Sequence, residues 1–314
     1  MKKSLIYFLC GALFSVLSLE TIVRSVSPLL GPPLTKWNTM EDAKILKLKE
    51  FRNKYPRPSY LFMGNSTTLI GLNPKVFTAE IGMRDGASFN AAMNGSEIRQ
   101  IRDFACGFIL GAVRPKNLVI LFSNSAMATS VDYQPMDFSS PNLEKYSYLY
   151  RYRNTFRDPL TLNTFLRILK YQDKRQGLVY RWADNLDDFG YSKYGTTDAN
   201  IVPLGWNPIE SRENIVSKQK SIHPKDLKYL TEIRDFALAQ GIELIIGTVP
   251  TISYEPLYRR EIEDMANYLG VEFVQGNDAI GQGKYFQDGV HLNRQGSIEF
   301  SKYLARELAF LARP

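Results

Sequence analysis

Near its C-terminal end the chain reads Asp288-Gly-Val-His291-Leu-Asn293, and His291 is one of only two histidines in 314 residues. A carboxylate three positions before an imidazole, in a short loop or a helical turn, reaches the ring and fixes its tautomer. An imidazole held that way is a general base in need of a nucleophile. Residues Tyr60-Leu-Phe-Met-Gly64-Asn65-Ser66-Thr-Thr68 offer one, because an apolar run that reads as a strand passes straight into Gly-Asn-Ser. A serine at a strand-to-helix turn sits at the carboxyl edge of a sheet. There glycine permits the tight turn, and the N-terminus of the following helix favours negative charge. The chemistry implied is acyl transfer through a serine, in a hydrolase or an acyltransferase.

Two further turns supply donors for a tetrahedral oxyanion. Phe89-Asn90-Ala-Ala-Met-Asn94-Gly95-Ser96 follows a short apolar stretch, and Gly95 can present a bare backbone N–H at the same edge. Phe122-Ser123-Asn124 ends another strand-like run and adds a side-chain amide. The N–H groups of Ser66 and Gly95 together with the Asn124 amide make three donors, and losing one such donor typically costs about 3–4 kcal/mol of transition-state stabilisation. Asn90 and Asn94 read by default as turn formers, and Asn65 as a residue that bonds locally to shape the Ser66 turn. Asn73-Pro74 reads as a turn with proline at a first helical position. His223 reads as a capping or surface residue at a helix start. The bland reading of Asp288 and His291 is a cap and its neighbour, since Asn293 to Gly296 precede a helix.

Other chemistries fit poorly. The sequence Gly64-Asn-Ser-Thr-Thr68 lacks the second glycine of an α/β-hydrolase elbow. No His-Glu-x-x-His, P-loop or Gly-x-Gly-x-x-Gly pattern occurs, and two histidines far apart give no metal site. Neither a cofactor nor a metal is expected. Of the two cysteines, Cys10 lies in an apolar run and Cys106 in an apparent buried helix, so no disulfide is expected.

The elements that must position these residues follow from hydropathy. With 44% hydrophobic residues the chain can bury a large core. Short apolar runs at 59–63, 88–91, 117–122, 242–248 and 271–273 read as strands. Amphipathic stretches at 39–55, 95–111, 224–240 and 295–311 read as helices. This alternation predicts a three-layer α/β/α domain on a mostly parallel, flavodoxin-like sheet. Residues 125–222 break the rhythm, with aromatics such as Tyr146, Tyr152, Trp182 and Trp206 and the cations Arg151, Arg153 and Arg157. The stretch is too long for one βα connection and reads as a largely helical insertion at the carboxyl edge, where lids and substrate surfaces form. The division expected is 1–30 as signal-anchor or transmembrane segment, 31–57 as linker with a stalk or docking helix, and 58–312 as the α/β domain.

Lys2 and Lys3 precede an uncharged run from Leu5 to Leu19, which closes at Glu20. At ~1.5 Å per residue that run reaches ~22 Å, short of a ~30 Å hydrocarbon core. Thr21-Ile-Val23 extend it into an anchor if Glu20 snorkels or pairs, and no Ala-x-Ala cleavage site follows. The expectation is an anchor with cytoplasmic lysines and an extracytoplasmic body. The 39 basic and 32 acidic residues give a net charge of +7, which suits anionic surfaces. No dense basic block or nucleic-acid motif is present, so nucleic acid is not an expected partner.

In order, Ser66, Gly95, Asn124 and His291, with Asp288 completing an Asp-x-x-His block, resemble the SGNH (GDSL-type) hydrolases over roughly residues 58–312. The first block reads Gly-Asn-Ser-Thr where that family usually has Gly-Asp-Ser-Leu. The third reads Phe-Ser-Asn-Ser where it usually has Gly-x-Asn-Asp. Such blocks look like those of membrane-anchored, extracytoplasmic members that act on cell-envelope polymers. The resemblance implies Ser66 as nucleophile, His291 as base, Asp288 as its orienting acid, and Ser66, Gly95 and Asn124 as the oxyanion hole. It further implies ester hydrolysis or O-acyl transfer on an acylated envelope carbohydrate, in the periplasm or outside the cell, with a membrane-bound acyltransferase as partner. Two other readings stay open: a degenerate scaffold that binds a polysaccharide or membrane partner without turnover, and a lipid esterase or thioesterase.

Overall fold

The computed structural model describes residues 2–30, 39–123, 147, 149, 181, 183–192, 224–251, 256–276, 279–280, 283–288 and 290–311. Most of the expected insertion, including all the aromatics and arginines named above, therefore lies outside the described residues, as does His223.

Five strands form one parallel sheet: β1 (Tyr60–Gly64), β2 (Ser88–Asn90), β3 (Asn117–Phe122), β4 (Glu243–Thr248) and β5 (Glu272–Val274), in the order β2-β1-β3-β4-β5. All five sit where the apolar runs predict them, shifted by at most one or two residues. β3 is buried at every position, as a central parallel strand covered on both faces must be. Alternation along the strands divides two cores. Leu61, Met63, Leu118, Ile120 and Ile246 face one layer, and Tyr60, Phe62, Val119, Leu121 and Ile245 face the other.

The first layer holds α2 (Thr39–Lys54), α5 (Ile98–Phe104), α7 (Pro224–Ala239) and α8 (Pro256–Leu269). The second holds α4 (Pro74–Glu80) and α9 (Arg294–Leu311), with Phe77, Phe300 and Leu304 packed under Tyr60 and Phe62. α3 (Ser66–Gly71) follows β1 directly, and α6 (Leu110–Val113) closes the α5 segment. The result is a three-layer α/β/α fold with strand order 2-1-3-4-5. In such sheets the order reverses between β1 and β3, and the crevice outside the carboxyl ends at that point is where ligands bind.

The helices depart from expectation in definable ways. The stretch 95–111 was expected as one helix, but α5 begins at Ile98. There Glu97 N–H donates to Gln100 Oε1 at 3.0 Å in a reciprocal capping box. It then widens into a π-turn over Ala105–Ile109 before α6. α8 was not expected, although Ile262, Met265, Ala266 and Leu269 are buried at helical spacing. α2 turns Ala43, Ile45, Leu48 and Phe51 into the first core, which makes it a docked helix and part of the body.

At the N-terminus, α1 (Lys2–Leu30) is continuous, and its Ser4–Ser25 stretch of 22 residues has a mean hydropathy of 1.9, long and apolar enough to cross a membrane. The helix runs on through Glu20, which closes the uncharged run and whose carboxylate is paired. It lies 3.5 Å from Arg24 and accepts hydrogen bonds from Ser147 Oγ and Leu149 N–H at 2.9 Å each.

Phe300 is fully buried and holds α9 against the sheet. Phe300→Ala is expected to cost about 3–5 kcal/mol of unfolding free energy. Denaturant titration of the purified variant checks this through a lower midpoint at unchanged slope.

Candidate active site

The turn after β1 is built by close approach. A Cβ on Gly64 would lie 2.6 Å from the Leu121 carbonyl and collide with Thr68 Oγ1, so only glycine lets β1 run this close to β3 and α3. Asn65 then caps α3. Its Oδ1 accepts from Thr67 N–H at 3.1 Å and Thr67 Oγ1 at 2.6 Å, while its Nδ2 donates to Ser123 Oγ at 2.7 Å. The local role expected of Asn65 is thus joined by a long-range one, a bond from the end of β1 to the end of β3 across the switch point. Ser66 occupies the first helical position, where a backbone N–H has no intrahelical acceptor, and it is half-buried.

His291 arrives from a loop, not from a helix. A 3-10 turn at Gly283–Tyr285 precedes it, and an antiparallel bridge joins Phe286 to Leu292. Asn293, not Asp288, caps α9: its Oδ1 accepts from Gly296 N–H at 2.9 Å, and its Nδ2 donates to Lys284 O at 2.7 Å. Asp288 is thereby left to serve the imidazole, which removes the bland reading of the pair as a helix cap. Its Oδ1 accepts from Val290 and His291 N–H at 2.8 and 2.7 Å, and its Oδ2 lies 2.8 Å from His291 Nδ1. Burial pushes the Asp288 carboxyl up. The backbone bonds from His291 and Val290, the imidazole bond and its charge outweigh this and hold it below the usual carboxylate range.

His291 Nε2 lies 2.9 Å from Ser66 Oγ. With an ionised Asp288 accepting from Nδ1–H, the tautomer is set, and Nε2 presents its lone pair to the Ser66 hydroxyl. A serine, an imidazole and a carboxylate in this linear arrangement can move a proton from the hydroxyl as it attacks an electrophile. Among the described residues no cluster of His, Cys, Asp or Glu could hold a metal ion.

The structure brings Ser66, His291 and Asp288 together. Gly95 lies in an exposed turn past the end of β2 with φ +66°, a conformation that favours glycine. Asn124 lies outside the described residues. Sequence reasoning passed over Asn90, read as a turn former. It is buried, and its Nδ2 donates to Thr68 O and Leu72 O at 2.9 Å each while its Oδ1 accepts from Ala92 N–H at 3.0 Å. It pins the end of β2 to the helix that carries Ser66. The only sequence signal for this was its position at the end of an apolar run.

No protein-family model matches the sequence, and no curated protein matches it. Among solved structures the chain is similar to a GDSL-like lipase from Bacteroides thetaiotaomicron, at 13% identity and TM-score 0.38 over 87% of this chain and 100% of that one. It is also similar to the psychrotrophic esterase EstA from Pseudoalteromonas, at 10% identity and TM-score 0.40 over 81% of this chain and 100% of that one. At this level of likeness the fold and the site rest on the chain's own topology and distances.

Gly64→Ala forces backbone apart at the turn that presents Ser66. It is expected to lower stability by about 1–3 kcal/mol and to slow reaction of Ser66 with a fluorophosphonate by more than the stability change explains. Thermal melts run beside labelling time courses check both.

Proposed function

We propose that this chain is a serine hydrolase of acyl esters, acting by hydrolysis or O-acyl transfer on an acylated carbohydrate of the cell envelope. The observation that carries the esterase reading is the pair of contacts on His291, 2.9 Å to Ser66 Oγ and 2.8 Å to Asp288 Oδ2. Ser66 Oγ attacks the ester carbonyl while His291 Nε2 takes its proton and Asp288 stabilises the imidazolium. The tetrahedral oxyanion is held by the N–H groups of Ser66 and Gly95 and by Asn124. His291 returns the proton to the departing alcohol, leaving an acyl-Ser66 ester. Water, or a sugar hydroxyl, then attacks that ester with His291 again as base. The outcome depends on how far the site excludes water.

The carbohydrate acceptor is supported by the aromatic and arginine content of 125–222, which suits stacking on sugars and holding an anionic polymer. The extracytoplasmic, tethered placement is supported by α1, with Lys2 and Lys3 on its cytoplasmic side. In this reading the division is 1–30 as anchor, 31–57 as linker and docking helix, and 58–312 as the catalytic body. A membrane-bound acyltransferase would supply or receive the acyl group.

The test uses the full chain in detergent with a fluorophosphonate probe and p-nitrophenyl acetate. Wild type is expected to label and turn over. Ser66→Ala is expected to do neither, and Asp288→Asn to lose roughly 10³–10⁴ in kcat with little change in KM. A folded wild type that does neither overturns the esterase reading in favour of a non-catalytic binding scaffold. Turnover of long-chain thioesters or lipid esters, with none of acetylated sugars, overturns the carbohydrate assignment.

A further inference from the structure

The body contains a buried lysine that the ester chemistry does not use. Lys44 of α2 has no solvent exposure. Its Nζ donates to the backbone carbonyl of Asn90 at 2.6 Å and to the backbone carbonyl of Gly190. These two carbonyls converge. Gly190 has φ +75°, and a Cβ there would press on the Asn90 carbonyl and come within 2.8 Å of Phe89 Cζ, so the 183–192 segment lies directly against the end of β2. Asn90 N–H in turn donates to Phe189 O at 2.9 Å, which covers the open edge of the sheet. Two carbonyl oxygens facing one another repel, and without a donor between them each would be a buried, unsatisfied acceptor.

Asn90 also ties the end of β2 to the segment that carries Ser66. Its side chain holds the carbonyls of Thr68 and Leu72 in and beyond α3. Its Oδ1 holds Ala92 N–H, and the next residues continue along β1 through Ala91 N–H to Phe62 O at 2.7 Å and Met93 N–H to Gly64 O at 3.1 Å. The Gly95 turn follows directly. We infer that Lys44 is a positioning residue for the proposed ester chemistry, acting through Asn90 to fix the Asn90–Gly95 turn against the helix that carries Ser66. The inference rests on the esterase reading for its catalytic consequence, while the tie itself is independent of it.

The charge state of Lys44 gives the tie a signature. Burial brings its pKa down to about 7, with the attraction of Asp187 opposing. A neutral amine has two N–H groups to donate, matching the two carbonyls. Charged groups facing this corner are Asp187, whose Oδ1 accepts from Phe189 and Tyr191 N–H, and Lys75, whose ammonium lies 4.9 Å over the Phe189 ring. At the other end of α2, Lys54 pairs with Asp188 at 3.7 Å. Because the folded pKa lies below the unfolded one, the unfolded chain binds more protons between pH ~7 and ~10, and stability rises with pH across that window.

The experiment compares the full-length wild type with Lys44→Met by kcat and KM on p-nitrophenyl acetate, hydrogen exchange, and melting temperature from pH 7 to 10. Lys44→Met is expected to lose 10-fold or more in kcat with KM within twofold. Its amides at 91–95 should exchange at least 10-fold faster while those of β3 and β4 do not change. Its melting temperature should lose the rise toward pH 10 that wild type shows. Unchanged kcat and exchange, or exchange accelerated equally throughout, overturns the inference. If the wild type is inert toward esters but Lys44→Met still loosens 91–95 alone, the esterase reading falls and the tie stands. Should Lys44→Met not fold, Lys44→Leu, which also removes both N–H donors, is read the same way. A Lys44→Leu protein with wild-type pH dependence and exchange overturns the inference too.

Discussion

Ser66 and His291 are 225 positions apart in the chain and 2.9 Å apart in space, and most of the structure around them serves that one contact. A hydrogen bond of this length between a hydroxyl and an imidazole tolerates only a few tenths of an ångström of drift before the proton path opens. Neither residue is held by its own packing alone. Ser66 is held by a glycine that brings β1 against β3 and by Asn65, which locks the turn to Ser123. His291 is held by a loop closed at both ends, by Phe286 pairing with Leu292 on one side and by Asn293 capping α9 on the other. α9, which follows His291, packs in the same layer as α4 beneath the sheet.

Polar groups near the site are divided so that the Asp288 carboxylate is left to the imidazole. Asn293 takes the cap of α9, and this frees Asp288 for the imidazole. Asn65 takes the Thr67 amide in the first turn of α3. Asn90 takes the carbonyls in and just beyond α3, so α3 can be only six residues long without fraying at the end nearest β2. Each of these asparagines has both a donor and an acceptor at short reach, which is why an amide and not a carboxylate fills each place.

Ser66, Asp288, His291 and all five strands were legible in the sequence for one reason. Buried parallel strands are short continuous apolar runs, and each chemistry-bearing residue directly follows one or sits in a short polar loop near a helix start. The short helices α3 and α4 were not legible as elements, because six or seven residues hold too few turns for a period to show. Asn90 and Lys44 were hidden for a different reason. Their partners lie 18 to 146 positions away, so neither spacing nor composition marks them. A lysine in a charged amphipathic helix reads as solvated, and only the packing of α2 on the sheet turns Lys44 inward.

This inward lysine also changes what the segment after the membrane-length helix can be. Were α2 a spacer, its charged residues would face water and its removal would leave the sheet intact. Instead Phe51 packs at a tilt against Phe89 of β2 at 5.0 Å between ring centroids, Tyr55 and Phe51 both meet Phe189 at 6.0 Å, and Lys44 ends on the Asn90 carbonyl at the end of β2. The first helix of the body therefore packs against the end of β2. The 183–192 segment is tied in likewise, since Tyr191 OH bonds Ser297 on α9 at 3.0 Å and Ser192 N–H reaches Leu69 O at 3.4 Å. Segments that sequence alone assigns to a stalk or docking helix and to an insertion thus pack around β2, and the edge strand of the sheet is covered by parts of the chain distant from it in sequence.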